Sequence, residues 1–127
     1  QRAGVLPQPP LLGRFGEMMR LNGRFNGQQI VPRAVVDDIG RNGSTEAFAR
    51  NGAYPGLAGW SYRNMWWVTH NEHGAFAARG VHGQAVYIDP KAQMVIVRFA
   101  SHPVAANAAL APTSLPAFHA VAKHLMR

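Results

Sequence analysis

The residues best suited to chemistry lie in one short segment, Gly80-Val81-His82-Gly83-Gln84. Its two glycines allow a bend at which the backbone can approach a ligand closely. The His82 ring can donate or accept a hydrogen bond, and the amide of Gln84 can do both. The segment can therefore contact a ligand, although a glycine-rich β-bulge with a surface histidine explains the same residues.

Metal binding is a second candidate chemistry, because His70 and His73 are three residues apart with Glu72 between them. Two histidines at this spacing on a helix could hold zinc. Residues 71–74, however, are typical of a turn between strands, and the sequence identifies no third ligand. We therefore predict no metal site and no cofactor. The other histidines outside the glycine-rich segment are interpreted as surface or cap residues: His102, His119 and His124.

The hydroxyl and carboxylate residues provide no nucleophile or acid pair. None of the serines has a lysine three positions later or lies in a Gly-x-Ser-x-Gly elbow. The neighbouring acids Asp37 and Asp38 diverge by about 100° on a helix, which favours a solvated face. The chain has no cysteine, so disulfides and thiolate chemistry are excluded. The serines are Ser44, Ser61, Ser101 and Ser114.

Charge and hydropathy narrow the function classes further. The formal net charge is +7, but the arginines are spread along the chain rather than grouped, so nucleic-acid binding is not predicted. Only convergence of the arginines on one face would favour it. No apolar run approaches the ~20 residues that a membrane span requires. The absence of cysteine fits the cytoplasm and the periplasm alike.

The pattern of apolar residues predicts the elements that position these groups. Residues 1–9 are proline-rich and predicted extended. A helix opens at Pro9-Pro10, Asn26-Gly27 predicts a tight hairpin, and Pro32 starts a second helix. Residues 42–59 are predicted to form a loop, and a final helix is expected to begin near Thr113 or Ser114.

Four strand segments are predicted between these helices, at residues 60–68, 75–81, 85–88 and 94–100. In the first, Trp60, Tyr62, Trp66 and Val68 are expected on one face, so Trp66 and Trp67 face opposite ways. These aromatic rings could stack on a ligand, but they are also typical of a sheet core. The order of elements predicts an α+β fold with an antiparallel sheet and helices packed on it, in one domain over residues 1–127.

Several of these motifs together resemble a known family. They are Gly59–Val68, Gly80–Gln84, Tyr87-Ile88-Asp89-Pro90 and Ala100-Ser101-His102-Pro103. The combination is similar to the C-terminal part of serine hydrolases with the β-lactamase and penicillin-binding-protein fold. Within that superfamily it is most similar to the branch of 6-aminohexanoate-dimer hydrolases and related esterases. The resemblance extends from about Leu11 to Met126.

The resemblance implies acyl-enzyme chemistry and assigns roles to particular residues. It places Ala78-Arg79-Gly80 on the family's Lys-Thr-Gly motif and the Val81 backbone N–H in the oxyanion hole. Lysine is absent at Ala78, which argues against β-lactams and favours esters, amides or short amide oligomers. His82 is interpreted as a structural or pocket-lining residue rather than a base. The implied substrate contacts are His82, Gln84, Trp66 and Tyr54.

The resemblance also implies that a part of the enzyme lies outside this sequence. The family's Ser-x-x-Lys nucleophile is absent, and the start of the chain has neither an initiator Met nor a signal peptide. We therefore expect an inactive C-terminal segment with an exposed apolar face and an unpaired strand edge, covered by the missing half or by self-association. The alternative is a non-catalytic binding or assembly module that uses the aromatic and basic surface.

Overall fold

A computed structural model of the protein describes residues 9–108 and 111–127. The predicted extended segment at residues 1–9 lies outside this range, except for Pro9, which begins the first helix. The helices and strands, in chain order, are α1 Pro9–Arg20, β1 Arg24–Phe25, β2 Gln28–Gln29, α2 Arg33–Arg41, α3 Thr45–Asn51, β3 Ser61–Arg63, β4 Trp66–Val68, β5 Phe76–Arg79, β6 Ala85–Asp89, β7 Met94–Arg98 and α4 Ala111–Leu125.

The central element is an antiparallel five-stranded sheet in the order β3-β4-β5-β6-β7. One face packs against α1 and α2, where Met18, Met19, Val36 and Ile39 are buried with Trp66. Helix α4 covers the other face through residues that include Phe118 and Ala122. The predicted α+β class with an antiparallel sheet is confirmed. No helix among the described residues is long and apolar enough to cross a membrane.

Left-handed backbone at specific residues ends α1 and also closes the small hairpin, which was predicted at Asn26-Gly27. Asn22 and Gly23 follow α1 with φ angles of 59° and 88°, and Asn26 and Gly27 join β1 to β2 with φ angles of 49° and 77°. Asn-Gly is the pair favoured in such tight turns, because both residues tolerate positive φ. The hairpin lies beside α1 and contributes Phe25 to the first core.

The predicted loop at residues 42–59 is wrong, because it contains helix α3 and a 3-10 turn at Pro55–Leu57. Ser44 caps α3, since its Oγ accepts a hydrogen bond from the Ala47 N–H at 3.0 Å. Gly52 ends the helix in the left-handed conformation. The glycine and alanine content of this stretch concealed the cap signal.

The single strand predicted at residues 60–68 is also wrong. Asn64 and Met65 have φ angles of 51° and 69°, so the chain reverses there and forms the β3–β4 hairpin. Tyr62 pairs with Trp67, which places Tyr62 on the face opposite Trp66 and Val68. The opposite orientation of Trp66 and Trp67 is as predicted.

Helix α4 begins at Ala111, before the predicted start near Thr113 or Ser114. Pro112 is tolerated there because the first turn of a helix does not use its N–H groups. Ser114 does not cap the helix, and its Oγ instead accepts a hydrogen bond from Arg98 at 2.7 Å. This bond fixes α4 against the end of β7.

Candidate active site

The end of β5 extends past its neighbour β4. Trp67 pairs with Ala77, and β4 begins only one residue earlier, at Trp66. On the other side, β6 continues to pair with β5 as far as Arg79, opposite Ala85. Residues 79–81 therefore have a neighbouring strand on one side only.

The backbone at Gly80 sets the direction of the next amide. The Gly80 N–H donates to the Gln84 carbonyl oxygen at 3.0 Å, so the Gly80 amide faces β6. Backbone groups alternate direction along an extended chain, so the Val81 N–H faces the β4 side, beyond the point where β4 begins. Among the described residues, this N–H has no hydrogen-bond acceptor, and Val81 is 60% exposed. A donor here is free to bind an incoming oxygen atom.

A tight turn at Val81–Gly83 follows β5. His82 and Gly83 have φ angles of 58° and 90°, in the left-handed region. A Cβ atom on Gly83 would lie 2.2 Å from Cδ2 of the His102 ring. Glycine is required at this position by both the backbone conformation and the close approach of His102.

Asn107 and His82 hold this turn against the loop that follows β7. The Asn107 side chain accepts a hydrogen bond from the Gly83 N–H at 2.9 Å and donates to the Gly80 carbonyl oxygen at 2.7 Å. The His82 Nδ1 lies 2.7 Å from the His102 carbonyl oxygen, which can only accept, so Nδ1 carries the proton. These bonds support the structural role predicted for His82. No motif in the sequence pointed to Asn107, which is distant along the chain from the residues that it contacts.

Gln84 is occupied by hydrogen bonds within the protein. Its Oε1 accepts from the Ala100 N–H at 3.2 Å, and its Nε2 donates to the Ala100 carbonyl oxygen. Arg98 adds a bond from its Nε to the Gly83 carbonyl oxygen at 2.8 Å. The side-chain amide of Gln84 therefore connects the start of β6 to the end of β7. The substrate contact assigned to Gln84 stays a prediction.

The predicted aromatic contacts separate into a buried and an exposed set. Trp66 is 8% exposed and lies between Phe15 and Phe76, so its ring belongs to the core. Tyr54 is 44% exposed, and its ring centroid lies 4.9 Å from that of Trp67. Exposed Tyr54 and Tyr62, together with half-buried Phe48 and Trp67, are here called the aromatic cluster. Trp67 is its centre and was not among the predicted contacts.

Arg79 connects the aromatic cluster to the end of β5. Its guanidinium lies 4.9 Å from the centroid of the Trp67 ring. Partial burial lowers the pKa of Arg79, the nearby Tyr54 opposes this shift, and the positive charge of Arg98 adds to it. The end of β5 thus combines a free backbone donor, a guanidinium and exposed rings.

A cavity of about 520 Å³ lies at the same end of the sheet. Its apolar walls include Leu12, Ala78, Val86 and Phe99. Gly80 and Arg79 contribute to the rim. The volume and lining are suited to an aliphatic ligand on the α1 face of the sheet.

Ser61 and His70 form the one contact that resembles a nucleophile and base among the described residues. The Ser61 Oγ lies 2.7 Å from the His70 Nε2. Ser61 is fully buried, however, and a Cβ atom on Gly43 would lie only 2.3 Å from its Oγ. No substrate can reach this hydroxyl group, so the pair has a structural role.

The residues considered for metal binding divide between separate contacts. His70 turns toward Ser61, whereas the Nδ1 of buried His73 lies 2.7 Å from Asp89. His119 joins His73 and Asp89 in a group whose possible ligand atoms lie within 4.8 Å of one another, and this group could hold a metal ion. Asp89 already forms hydrogen bonds with His73 and with the Ala92 N–H, and these bonds fix the β6–β7 turn. The contact between His73 and Asp89 therefore has a structural explanation.

Comparison with known proteins identifies similar enzymes. No family model matches the chain. The 6-aminohexanoate-dimer hydrolase of Paenarthrobacter ureafaciens is 36% identical over 92 residues, which are 72% of this chain and 24% of that protein. A solved structure from Bacillus anthracis, assigned provisionally as a 6-aminohexanoate-dimer hydrolase, matches with a TM-score of 0.72 and 39% identity over 92% of this chain and 29% of that one. The chain therefore spans about a quarter of the length of these relatives.

Proposed function

Because the chain is related to the 6-aminohexanoate-dimer hydrolases, we propose that it is the C-terminal part of a serine hydrolase. The complete enzyme would cleave amide or ester bonds through an acyl-enzyme intermediate. In this proposal, the present chain supplies an oxyanion-hole strand and one wall of the substrate pocket. The nucleophile and the general base lie in the other part of the enzyme.

The observation that carries the proposal is the Val81 N–H at the end of β5. It is free among the described residues, and the turn beside it is held by two hydrogen bonds, one that Asn107 accepts from the Gly83 N–H and one that it donates to the Gly80 carbonyl oxygen. A rigid donor of this kind stabilises the negative charge that develops on a carbonyl oxygen during acyl transfer. One such donor is typically worth about 3 kcal/mol of barrier, or a rate factor of about 10²–10³.

The substrate is an amide or an ester of small size. Ala78 cannot provide the cation that the Lys-Thr-Gly motif offers to β-lactam carboxylates. The cavity on the α1 face of the sheet has aliphatic walls, and Tyr54 and Trp67 lie near the end of β5 on the opposite face. These surfaces favour a substrate with an aliphatic or amide backbone.

A graft tests the proposal. The matching segment of the Paenarthrobacter ureafaciens hydrolase is replaced by this chain, and hydrolysis of 6-aminohexanoate dimer and p-nitrophenyl butyrate is measured. We expect the graft to be active and to lose activity on treatment with a serine-directed phosphonate. The truncated hydrolase and the present chain alone should both be inactive.

The matching segment of the Bacillus anthracis protein, grafted in the same way, is the control. If that graft hydrolyses substrate and the graft of this chain is folded but inactive, the proposal is wrong. That result would favour the alternative, a non-catalytic binding or assembly module. The exposed aromatic cluster and the unpaired outer sides of β3 and β7 would then be the surfaces to examine.

A further inference from the structure

Two histidines and a carboxylate from three separate segments come together beside α4. His73 lies in the turn between β4 and β5, Asp89 ends β6, and His119 lies in the middle of α4. A possible ligand atom of each residue lies within 4.8 Å of those of the other two. The sequence identified no third ligand beside His70 and His73, because Asp89 and His119 join His73 only through the fold.

Asp89 is a fully buried carboxylate whose one titratable hydrogen-bond partner among the described residues is a histidine. Its oxygens lie 2.7 Å from the His73 Nδ1 and 2.8 Å from the Ala92 N–H. A buried carboxylate is costly unless it is paired with a cation, and a histidine supplies positive charge only when it is protonated. A metal ion would supply that charge while both imidazoles are neutral, which is the form that binds metals.

Glu72 adds a second negative charge at the exposed side of this group. Its Oε1 lies 3.1 Å from the His119 Nε2 and 3.8 Å from the Lys123 Nζ. Two of the six acidic residues of the chain thus lie at one group of histidines, although the net charge of the chain is +7. This local charge attracts a cation, and carboxylates beside ligating histidines commonly orient their rings.

The residue types and their spacing suit zinc. Zinc binds imidazole nitrogens and carboxylate oxygens at about 2.0–2.2 Å in a tetrahedral arrangement, which places neighbouring ligand atoms about 3.3 Å apart. The separations of 2.7 Å between His73 and Asp89 and of up to 4.8 Å within the group lie on either side of this value. Small side-chain rotations would therefore complete the arrangement. Calcium and magnesium prefer oxygen ligands, so two imidazoles favour zinc.

We propose that His73, Asp89 and His119 bind a zinc ion that joins α4 to the sheet. A water molecule would complete the tetrahedron. The site lies at the end of the sheet opposite the candidate active site, because His73 precedes β5 and Asp89 ends β6, whereas Arg79 pairs with Ala85 at the other end of these two strands. The ion would therefore stabilise the packing of α4 and take no part in hydrolysis.

Zinc binding by the chain, prepared without an affinity tag, tests this inference independently of the proposed hydrolase function. Metal is removed with a chelator, and Zn²⁺ is titrated by calorimetry, with Co²⁺ absorption as a probe of tetrahedral ligands. We expect one Zn²⁺ per chain and a melting temperature that rises with the Zn²⁺ concentration. His119→Ala should weaken Zn²⁺ binding at least about 100-fold, and Glu72→Gln about tenfold, because residues that orient a ligand contribute less than the ligand itself.

His124→Ala is the matched control, because this exposed histidine lies on the same helix outside the group. It should leave the Zn²⁺ affinity within about twofold of that of the unmodified chain. Absence of Zn²⁺ binding by the folded chain, or equal affinities of the unmodified chain and folded His119→Ala, would overturn the inference. An equal loss of affinity in His124→Ala and His119→Ala would assign binding to exposed histidines in general and would also overturn it.

Discussion

Single residues fix the candidate site by connecting segments that are distant in the sequence. Asn107 bonds both Gly80 and Gly83, and the His82 ring donates to the backbone of His102. These contacts hold the turn after β5, so the free Val81 N–H has a defined direction. Asp38 has a comparable role elsewhere, because it connects α2 to the β3–β4 hairpin through Arg63 and Asn64. The solvated face predicted for Asp38 therefore also carries an ion pair between two elements, since its side chain is 27% exposed.

Replacement of Asp38 should reveal this connection through its pH dependence. Hydrogen bonds from Arg63, and then from Asn42, lower the pKa of Asp38 from 3.8 to about 2. A carboxyl group whose pKa is lowered by folding stabilises the fold above its unfolded pKa, and this contribution is lost as the pH falls to about 2. We expect Asp38→Asn to lower the melting temperature at pH 6, with the difference disappearing between about pH 4 and pH 2.

Asp37→Asn is the control for this prediction. Asp37 forms only an exposed pair with Arg33 at 3.7 Å on the same helix, and such pairs contribute little. Its melting temperature should follow that of the unmodified chain throughout the pH series. Equal effects of the two substitutions would show that the Asp38 contacts do not stabilise the fold.

At the scale of elements, the close approach of α1 to the sheet depends on Gly16. A Cβ atom at this position would lie 2.6 Å from Cγ1 of Val95 and 3.1 Å from Cγ1 of Val86. Gly13, on the same helix, has no atom within 4 Å of the corresponding position. Substitutions at these two glycines can therefore distinguish the effect of helix propensity from the effect of packing.

Alanine substitution at these two glycines should have opposite effects. Gly16→Ala must displace α1 or rearrange two valines, and we expect a loss of about 1–3 kcal/mol in the free energy of unfolding. Gly13→Ala should increase this free energy by up to about 1 kcal/mol, because alanine is the better helix former. Urea unfolding measures both, and a stabilising Gly16→Ala would contradict the packing described for α1.

Helix-start, turn and apolar patterns in the sequence predicted the elements whose formation depends on residues adjacent in the chain. Pro9-Pro10 marked α1, Asn26-Gly27 marked the first hairpin, and the strand predicted at residues 94–100 corresponds to β7. The second hairpin was missed because its turn, Asn64-Met65, places a residue with no turn preference at positive φ. The site was predicted only as far as Gly80–Gln84, because Asn107, Trp67 and Arg79 join it through tertiary contacts.

At the scale of the whole molecule, the sheet has two unpaired outer strands within the described residues, β3 and β7. Strand β7 is mostly apolar and runs directly into exposed Phe99. Unpaired edges of this kind bind further strands or associate. The edge fits the proposed role of the chain as one part of a larger domain.

Association of the chain should therefore depend on concentration and on the β7 edge. We expect sedimentation velocity to show species larger than a monomer as the concentration rises. Phe99→Lys should shift this association to about tenfold higher concentration, because a lysine at a strand edge opposes pairing. Val104→Lys places the same charge at an exposed residue outside the strands and should have no effect. A monomer at every concentration would contradict an exposed pairing edge.

The role of the Val81 N–H can be measured directly with Val81→Pro in the graft that carries this chain. Gly80 has φ −111° and ψ 170°, an extended conformation that suits a residue before proline, and Val81 is the first residue of its turn. Proline therefore removes the N–H with little change in shape, whereas Val81→Ala retains it. The proposed oxyanion donor predicts that Val81→Pro lowers kcat about 10²–10³-fold relative to Val81→Ala. Equal kcat values for the two folded variants would contradict the proposed site.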